Sequence, residues 1–321
     1  MAYRLQSEEA MSEGLRRAGV QQLNRAIGEL TEGLDSDPVK AVHAARKALK
    51  KERSLLRLGR GTLDARQRRR ENRVLRGVAR RLSGARDSEV AVKTLDQLAD
   101  RYTGQVPENT FATLRERLER RRDAARLSLG SPATIQPALA DLTAVRERAG
   151  DWRFHRHGWR AIGDGQLRGY RRGRRAFAVA RARTTDENLH EWRKRTKDVW
   201  YQLRLLGPLA PNTIRGQAQE AHHLSDLLGD VHDLAGLRAT LLSLDGQLPV
   251  DVEAVIGLID HRRGQLQGEA FFVGQRLYAE PPKAFARRMH SYWKAWRAEG
   301  RAALAQRPVS LAEATRASAV P

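Results

Sequence analysis

Two segments of the sequence place histidine, arginine and lysine at the same helical spacing. They are Val42-His43-Ala44-Ala45-Arg46-Lys47-Ala48-Leu49-Lys50 and Leu189-His190-Glu191-Trp192-Arg193-Lys194-Arg195-Thr196-Lys197. The shared pattern is apolar-His-x-x-Arg-Lys-x-x-Lys, and it recurs at an offset of 147 residues, with Arg57 matching Arg204. Steps of three and four residues bring side chains onto one helix face, one above the next. The chemistry of such a face is the holding of oxyanions. Arginine presents a planar fork that matches phosphate oxygens, lysine a mobile point charge, and histidine a ring N–H.

The helices that must position these groups follow from the apolar residues between them. With Leu49 at zero and about 100° per residue, Val42, Ala45 and Leu56 fall within about 40° of it and form the buried stripe. His43, Arg46, Lys47, Lys50 and Arg57 fall between roughly 60° and 160°, as one cationic band without interleaved acids. His190, Arg193, Lys194, Lys197 and Arg204 occupy the same angles in the second copy. Tyr201 falls among them, and Leu189, Trp192 and Leu203 face inward. Arg69, Arg73, Arg76 and Arg80 repeat the device on a helix whose other face carries Leu75, Val78 and Leu82. Arg168, Arg171, Arg172 and Arg175 do so again ahead of the second histidine helix. Like charges stacked at these spacings destabilise a helix, so several such faces point to an anionic ligand rather than to a merely solvated surface.

A second pair of segments, Leu82-x-x-Ala85-Arg86-Asp87 and Leu228-x-x-Val231-His232-Asp233, follows the first at an offset of 146. Two motifs repeating in the same order at nearly the same offset indicate a duplicated helical unit. The expectation is therefore an all-α protein of two pseudo-symmetric four-helix bundles that form a basic central cleft or channel. The repeats span about 7–130 and 155–305, within one domain of 1–305, and 306–321 form a flexible tail. Helix boundaries read from caps and breakers. The first helix runs from about Ser7 to Leu34. Asp37 with Pro38 opens the next, and Asp64 caps a third that ends before Ser83-Gly84. Further helices start at Pro107 and near Ile135. The stretch Phe154 to Gly158 is a loop. Ala210-Pro211, Leu248-Pro249 and Pro281-Pro282 punctuate the second half.

Other candidate chemistry is weaker. His222, His223, Asp226, His232 and Asp233 cluster in the sequence, and His232-Asp233 has the look of a metal-dependent phosphohydrolase pair. Its counterpart, Arg86-Asp87, is no metal-ligand pair, and a cap or ion pair near a helix start accounts for both aspartates. His43 and His190 each have basic residues one turn on, which repel a metal cation. No phosphate-binding glycine loop, nucleophile elbow, zinc-protease helix or dinucleotide fingerprint is present. No metal, no cofactor and no catalysis are expected.

Composition bounds the partner. Lys and Arg number 59 against 38 Asp and Glu over 321 residues, a formal charge of +21, which self-repels unless a polyanion neutralises it. Cysteine is absent, which excludes disulfides, thiolate metal sites and thiol nucleophiles and fits a reducing cytoplasm. No apolar run reaches the roughly 20 residues of a membrane span, and the polar start shows no signal peptide. Aromatics are only 6% and sit mostly at core angles. There are therefore few stacking platforms for bases, and no helix-turn-helix or zinc-finger signature. That favours a base-free polymer over nucleic acid, which remains as the competing polyanion.

The two His-x-x-Arg-Lys-x-x-Lys helices, each followed by an Arg-Asp or His-Asp turn, resemble the conserved histidine α-helical domain (CHAD) family. The resemblance extends from about Ser7 to about Arg301. It implies paired four-helix bundles that bind inorganic polyphosphate in a basic central channel and associate with polyphosphate granules. Carried over by motif, the contacts are His43, Arg46, Lys47, Lys50, His190, Arg193, Lys194 and Lys197. Wheel position adds Arg57, Arg69, Arg73, Arg76 and Arg204. Many members carry a fused triphosphate-tunnel enzyme domain. None is expected here, since the first helix begins at once. Gln219 and Asp226 replace arginines of the first half, so the two sides of the channel are expected to contribute unequally.

Overall fold

A computed structural model describes residues 3–126, 131–244 and 252–306, with the backbone alone at 84–87, 108 and 304. The protein is all-α. Its helices are α1 (Met11–Thr31), α2 (Gly33–Ser36), α3 (Pro38–Leu58), α4 (Ala65–Arg81), α5 (Gly84–Arg101), α6 (Glu108–Arg126), α7 (Pro132–Ala149), α8 (Gly163–Ala182), α9 (Asp186–Leu206), α10 (Pro211–Leu242), α11 (Val252–Leu277) and α12 (Pro282–Ala305). Among the described residues extended pairing is limited to isolated bridges at Arg60–Leu63 and Leu63–Phe154. The Leu248-Pro249 break, Gly130 and the tail beyond 306 lie outside the described residues.

Side-chain caps set the starts of α3 and α4. The Asp37 carboxylate accepts from the backbone N–H groups of Val39 and Lys40, with Pro38 at the first helical position of α3. Asp64 caps α4 through Arg66 and Gln67. The first helix starts at Met11 rather than Ser7, because the preceding segment is held elsewhere. Glu9 pairs with Arg17 at 2.6 Å, and Arg297 of α12 donates to the carbonyls of Ser7 and Glu9. The expected helix start near Asp233 is absent. α10 runs unbroken for 32 residues, and Asp233 lies well inside it.

The buried stripes lie where the periodicity puts them. Val42, Ala45, Leu49 and Leu56 of α3 and Leu189, Trp192 and Leu203 of α9 are each at most 4% exposed. α1 packs on α3 and α7, α8 on α9 and α12, and α10 on α9 and α11. The first and second halves meet where α3 touches α8 and α9 and where α5 touches α10. Gly165 allows the α3–α8 approach, since a Cβ there would overlap the carbonyl oxygen of Leu58. The loop after α3 is stitched to the loop before α8. Asp64 N–H donates to the Arg153 carbonyl, His155 N–H to the Thr62 carbonyl at 2.7 Å, and Thr62 Oγ1 to the Ala161 carbonyl at 2.6 Å. The end of α3 and the start of α8 are thereby fixed against each other.

Candidate anion-binding site

α3 and α9 cross at Ser54 and Asp198. Ser54 Oγ donates to the Asp198 carbonyl at 3.2 Å, and Arg57 Nη2 donates to Asp198 Oδ1 at 2.6 Å. Arg195 Nη1 donates to the other carboxylate oxygen at 3.0 Å. The fields of Arg53 and Arg172 also reach Asp198. Four guanidinium groups thus surround one buried carboxylate. Arg53 shows the crowding: burial, then Arg57, push its guanidinium down to about 10, with Arg76 and Arg195 adding to it. It stays charged at neutral pH.

This corrects the expectation of a band free of acids. In the second copy Glu191 holds Arg195 at 2.7 Å and lies 3.8 Å from Lys194, and Asp198 holds Arg57. Glu191 lies on α9 itself, one turn from its partners, whereas the Asp198–Arg57 pair crosses to α3, which a wheel of one helix does not place. Tyr201 also leaves the exposed band. It is buried, and burial pushes its hydroxyl up to about 12.

The remaining residues of the first copy do not share one cleft. His43 and Arg46 line a cleft of about 800 Å³ between α3, α5, α10 and α11. Its other charged walls are mixed, with Lys93, Arg101 and Arg262 opposite Glu89, Asp230 and Asp233. Arg46 Nη1 donates to the Ala79 carbonyl at 2.8 Å, which fixes it across the end of α4. Lys50 is half-buried. Lys47 is exposed, one turn from Lys51, and its charge bears on that lysine. Arg69, Arg73 and Arg76 project from the exposed face of α4.

In the second copy Arg193 lies over Gly229 of α10, where a Cβ would come within 3.1 Å of its guanidinium. This gives Gly229 a packing role inside a continuous helix, in place of the helix break its first-half counterpart Ser83 provides. His190 stacks against His232 with ring centroids 4.5 Å apart. Burial, then His232, Lys194 and Arg193, push His190 down to about 4, so the ring is neutral at pH 7 and acts as a hydrogen-bonding group, not a cation. Lys194 is exposed and Lys197 half-buried. Arg204 is exposed over the Trp200 ring at 5.6 Å.

The histidines and aspartates that cluster in the α10 sequence do not converge. His222 pairs with Asp226 at 2.6 Å, His223 lies 3.4 Å from Glu269, and His232 faces His190. Among the described residues no group of three His, Asp or Glu is arranged to hold a metal ion. Of the Asp87 side chain nothing is described.

One cationic feature was not among the sequence candidates. A cavity of about 1120 Å³ between α1, α3, α9 and the start of α10 is lined by Arg4, Arg25, Lys51, Arg204 and Arg215, with Tyr3 at its wall and no carboxylate in its lining. Lys51 is only 5% exposed. Burial, then Arg204, Arg25 and Lys47, push its ammonium down to about 8. Only Arg204 was anticipated. Arg4, Arg25 and Arg215 come from elements remote in sequence, and Lys51 sits at about 200° on the wheel, just past the band. The available signal was the charge reversal between Lys51 and Asp198 at the same offset of 147.

Comparison with known proteins supports the fold. A family model described as the CHAD domain matches residues 17–242. The structure is similar to that of PptA from Streptomyces chartreusis (TM-score 0.60, 16% identity, covering 85% of this chain and 100% of that one). It is also similar to the CHAD domain of the plant Ricinus communis (TM-score 0.56, 20% identity, covering 92% of this chain and 95% of that one). At these identities the likeness is one of fold. No curated protein matches the chain by sequence.

Proposed function

This chain belongs to the CHAD family, and from that membership we propose that it is a noncatalytic binder of inorganic polyphosphate that associates with polyphosphate granules. The polymer lies along the cationic faces of two repeats, about 7–130 and 155–305, held by His43, Arg46, Lys47, Lys50, Arg57, Arg69, Arg73, Arg76, His190, Arg193, Lys194, Lys197 and Arg204. The observation that carries the reading is the crossing of α3 and α9, which brings both motif helices into one contact. Cations of both helices then face a row of phosphates, interrupted by the pairs of Asp198 and Glu191. Arg57 contributes from within its ion pair with Asp198, and His190 as a neutral hydrogen-bonding ring.

The test is calorimetric titration with long-chain polyphosphate and, in parallel, with duplex DNA at equal phosphate, at an ionic strength of order 0.15 M. Polyphosphate should bind tightly and DNA at least ~10-fold more weakly. Affinity should fall steeply with salt, since each neutralised phosphate releases condensed counterions. Replacing Arg46, Lys47, Arg193 and Lys194 together by Ala should weaken polyphosphate binding by ~100-fold or more with helix content unchanged, at roughly 1 kcal/mol per polyanion-facing charge. Equal binding of DNA and polyphosphate, or full binding by the fourfold variant, overturns the proposal.

A further inference from the structure

The duplication makes one charge reversal informative. At the offset of 147, Arg25 corresponds to Arg172, Lys51 to Asp198 and Arg204 to Arg57. The surroundings correspond in part: Arg57 and Arg172 near Asp198 match Arg204 and Arg25 near Lys51, whereas Arg195 matches Ala48 and Lys47 matches Lys194. Asp198 sits among Arg57, Arg172 and Arg195, and Lys51 among Arg25, Arg204 and Lys47. In one copy a buried carboxylate neutralises the cluster from inside. In the other a buried lysine occupies its place and adds to the positive charge.

Among the described residues one carboxylate offsets part of this charge, from outside the cavity. Glu29 lies 3.5 Å from Arg25 but does not line the cavity. Glu52, the next residue after Lys51, is wholly buried, and its carboxyl is pushed up to about 8 by burial and by Glu71, so it is largely protonated at pH 7. Lys51 Nζ lies 5.4 Å from the centre of the Tyr3 ring, and among the described residues it forms no ion pair. Buried charges are ordinarily paired.

We propose that the cavity bounded by α1, α3, α9 and α10 is a discrete anion pocket in which an external oligophosphate supplies the negative charge that Asp198 supplies in the other copy. Arg25, Lys51, Arg204 and Arg215 are its anion ligands, and Tyr3 forms its wall. The inference rests on the reading of the protein as a phosphate-polymer binder and adds to it a pocket for a short chain. At about 1120 Å³ the cavity has the size of a small-molecule site. The ligand chemistry is that of condensed phosphate, whether a free short chain or a stretch of a longer one.

Inorganic triphosphate and long-chain polyphosphate, each titrated calorimetrically into the full chain, separate these sources. Lys51→Asp recreates the internally neutralised arrangement. It should weaken triphosphate at least ~10-fold; long-chain affinity held within ~3-fold marks a free short chain as the occupant, and a parallel fall marks a stretch of the longer one. Arg25→Gln combined with Arg215→Gln, two exposed positions, should also weaken triphosphate at least ~10-fold without touching a buried site. Unchanged triphosphate binding in Lys51→Asp overturns the inference. So does a loss confined to Lys51→Asp with the double variant unaffected, which traces the loss to folding. Wild-type protein that binds long chains but not triphosphate refutes the pocket and leaves the polymer reading standing. Triphosphate binding without long-chain binding does the reverse.

Discussion

Replacing Asp198 by Asn removes one negative charge from the centre of four guanidinium groups with almost no change of shape. Its carboxylate accepts from Arg57 and Arg195 at 2.6 and 3.0 Å, is 8% exposed, and lies within the fields of Arg53 and Arg172. Removing one partner of a buried ion pair costs about 3–5 kcal/mol, because the charge left behind is desolvated and unpaired. Arg57 is 28% exposed and partly hydrated, so the lower figure, about 3 kcal/mol, applies. For a domain of this size each kcal/mol moves Tm by about 2 °C, which gives a fall of about 6 °C. The loss should be recoverable from outside. In the variant both clusters lack an internal anion, so triphosphate at about 100 times its Kd should return about 2.7 kcal/mol at the new locus, in addition to any rise seen in wild type. Differential scanning calorimetry with and without triphosphate reads both effects. A Tm fall below about 2 °C, or the same triphosphate-induced rise in variant and wild type, refutes the reasoning that Asp198 is an internal counter-ion.

Two further outcomes concern buried titratable groups. Glu52 is wholly buried and its carboxyl is held up at about 8, above the unfolded carboxylate range. The native state therefore binds more protons than the unfolded state between about pH 4.5 and 8, and stability falls as pH rises through that window. Glu52→Gln should flatten this decline and raise Tm at pH 8, as measured by thermal unfolding across pH. Lys51 is pushed down to about 8. An anion in its pocket favours the ammonium form, so triphosphate affinity should weaken as pH rises through about 8, with proton uptake visible in buffers of different ionisation enthalpy. Lys51→Arg should keep the affinity and lose that part of the pH dependence.

Local physics was readable where it acted within a few residues. The Asp37-Pro38 and Asp64 caps, the inward stripes of Val42, Leu49 and Trp192, and the all-α class follow from spacing and capping alone. Where a second element intervenes, the one-helix reading stops. The wheel puts Tyr201 on the exposed band, yet it is buried, with Tyr3 of the N-terminal segment near enough to feel its charge. Analogy with Ser83-Gly84 put a helix start before Asp233. There the second copy carries Gly229, which serves to admit the Arg193 guanidinium, and α10 continues through it. The acid-free band failed in part for the same reason. Asp198 belongs to α9 by sequence, but half of its pairing is with Arg57 of α3. The cavity around Lys51 required four elements to meet before its charge excess existed.

The arrangement of these charges couples ligand binding to the stability of the fold. Every residue offered to the polymer stands on a helix whose opposite face is core, so the cations are fixed near one another by burial of the apolar stripe and not by their own interactions, which oppose it. A repeated unit would carry that repulsion twice. The chain relieves it once from inside, at Asp198, and leaves it unrelieved around Lys51. On the proposed reading a polyanion would meet cations already held by the fold, and little ordering entropy would be spent when it arrives. The self-repulsion it cancels adds to its affinity, and by linkage the same free energy appears as added stability of the complex. Added salt then has opposite effects on the two states. It weakens the complex by screening the contacts with phosphate, and it stabilises the free protein by screening cation against cation.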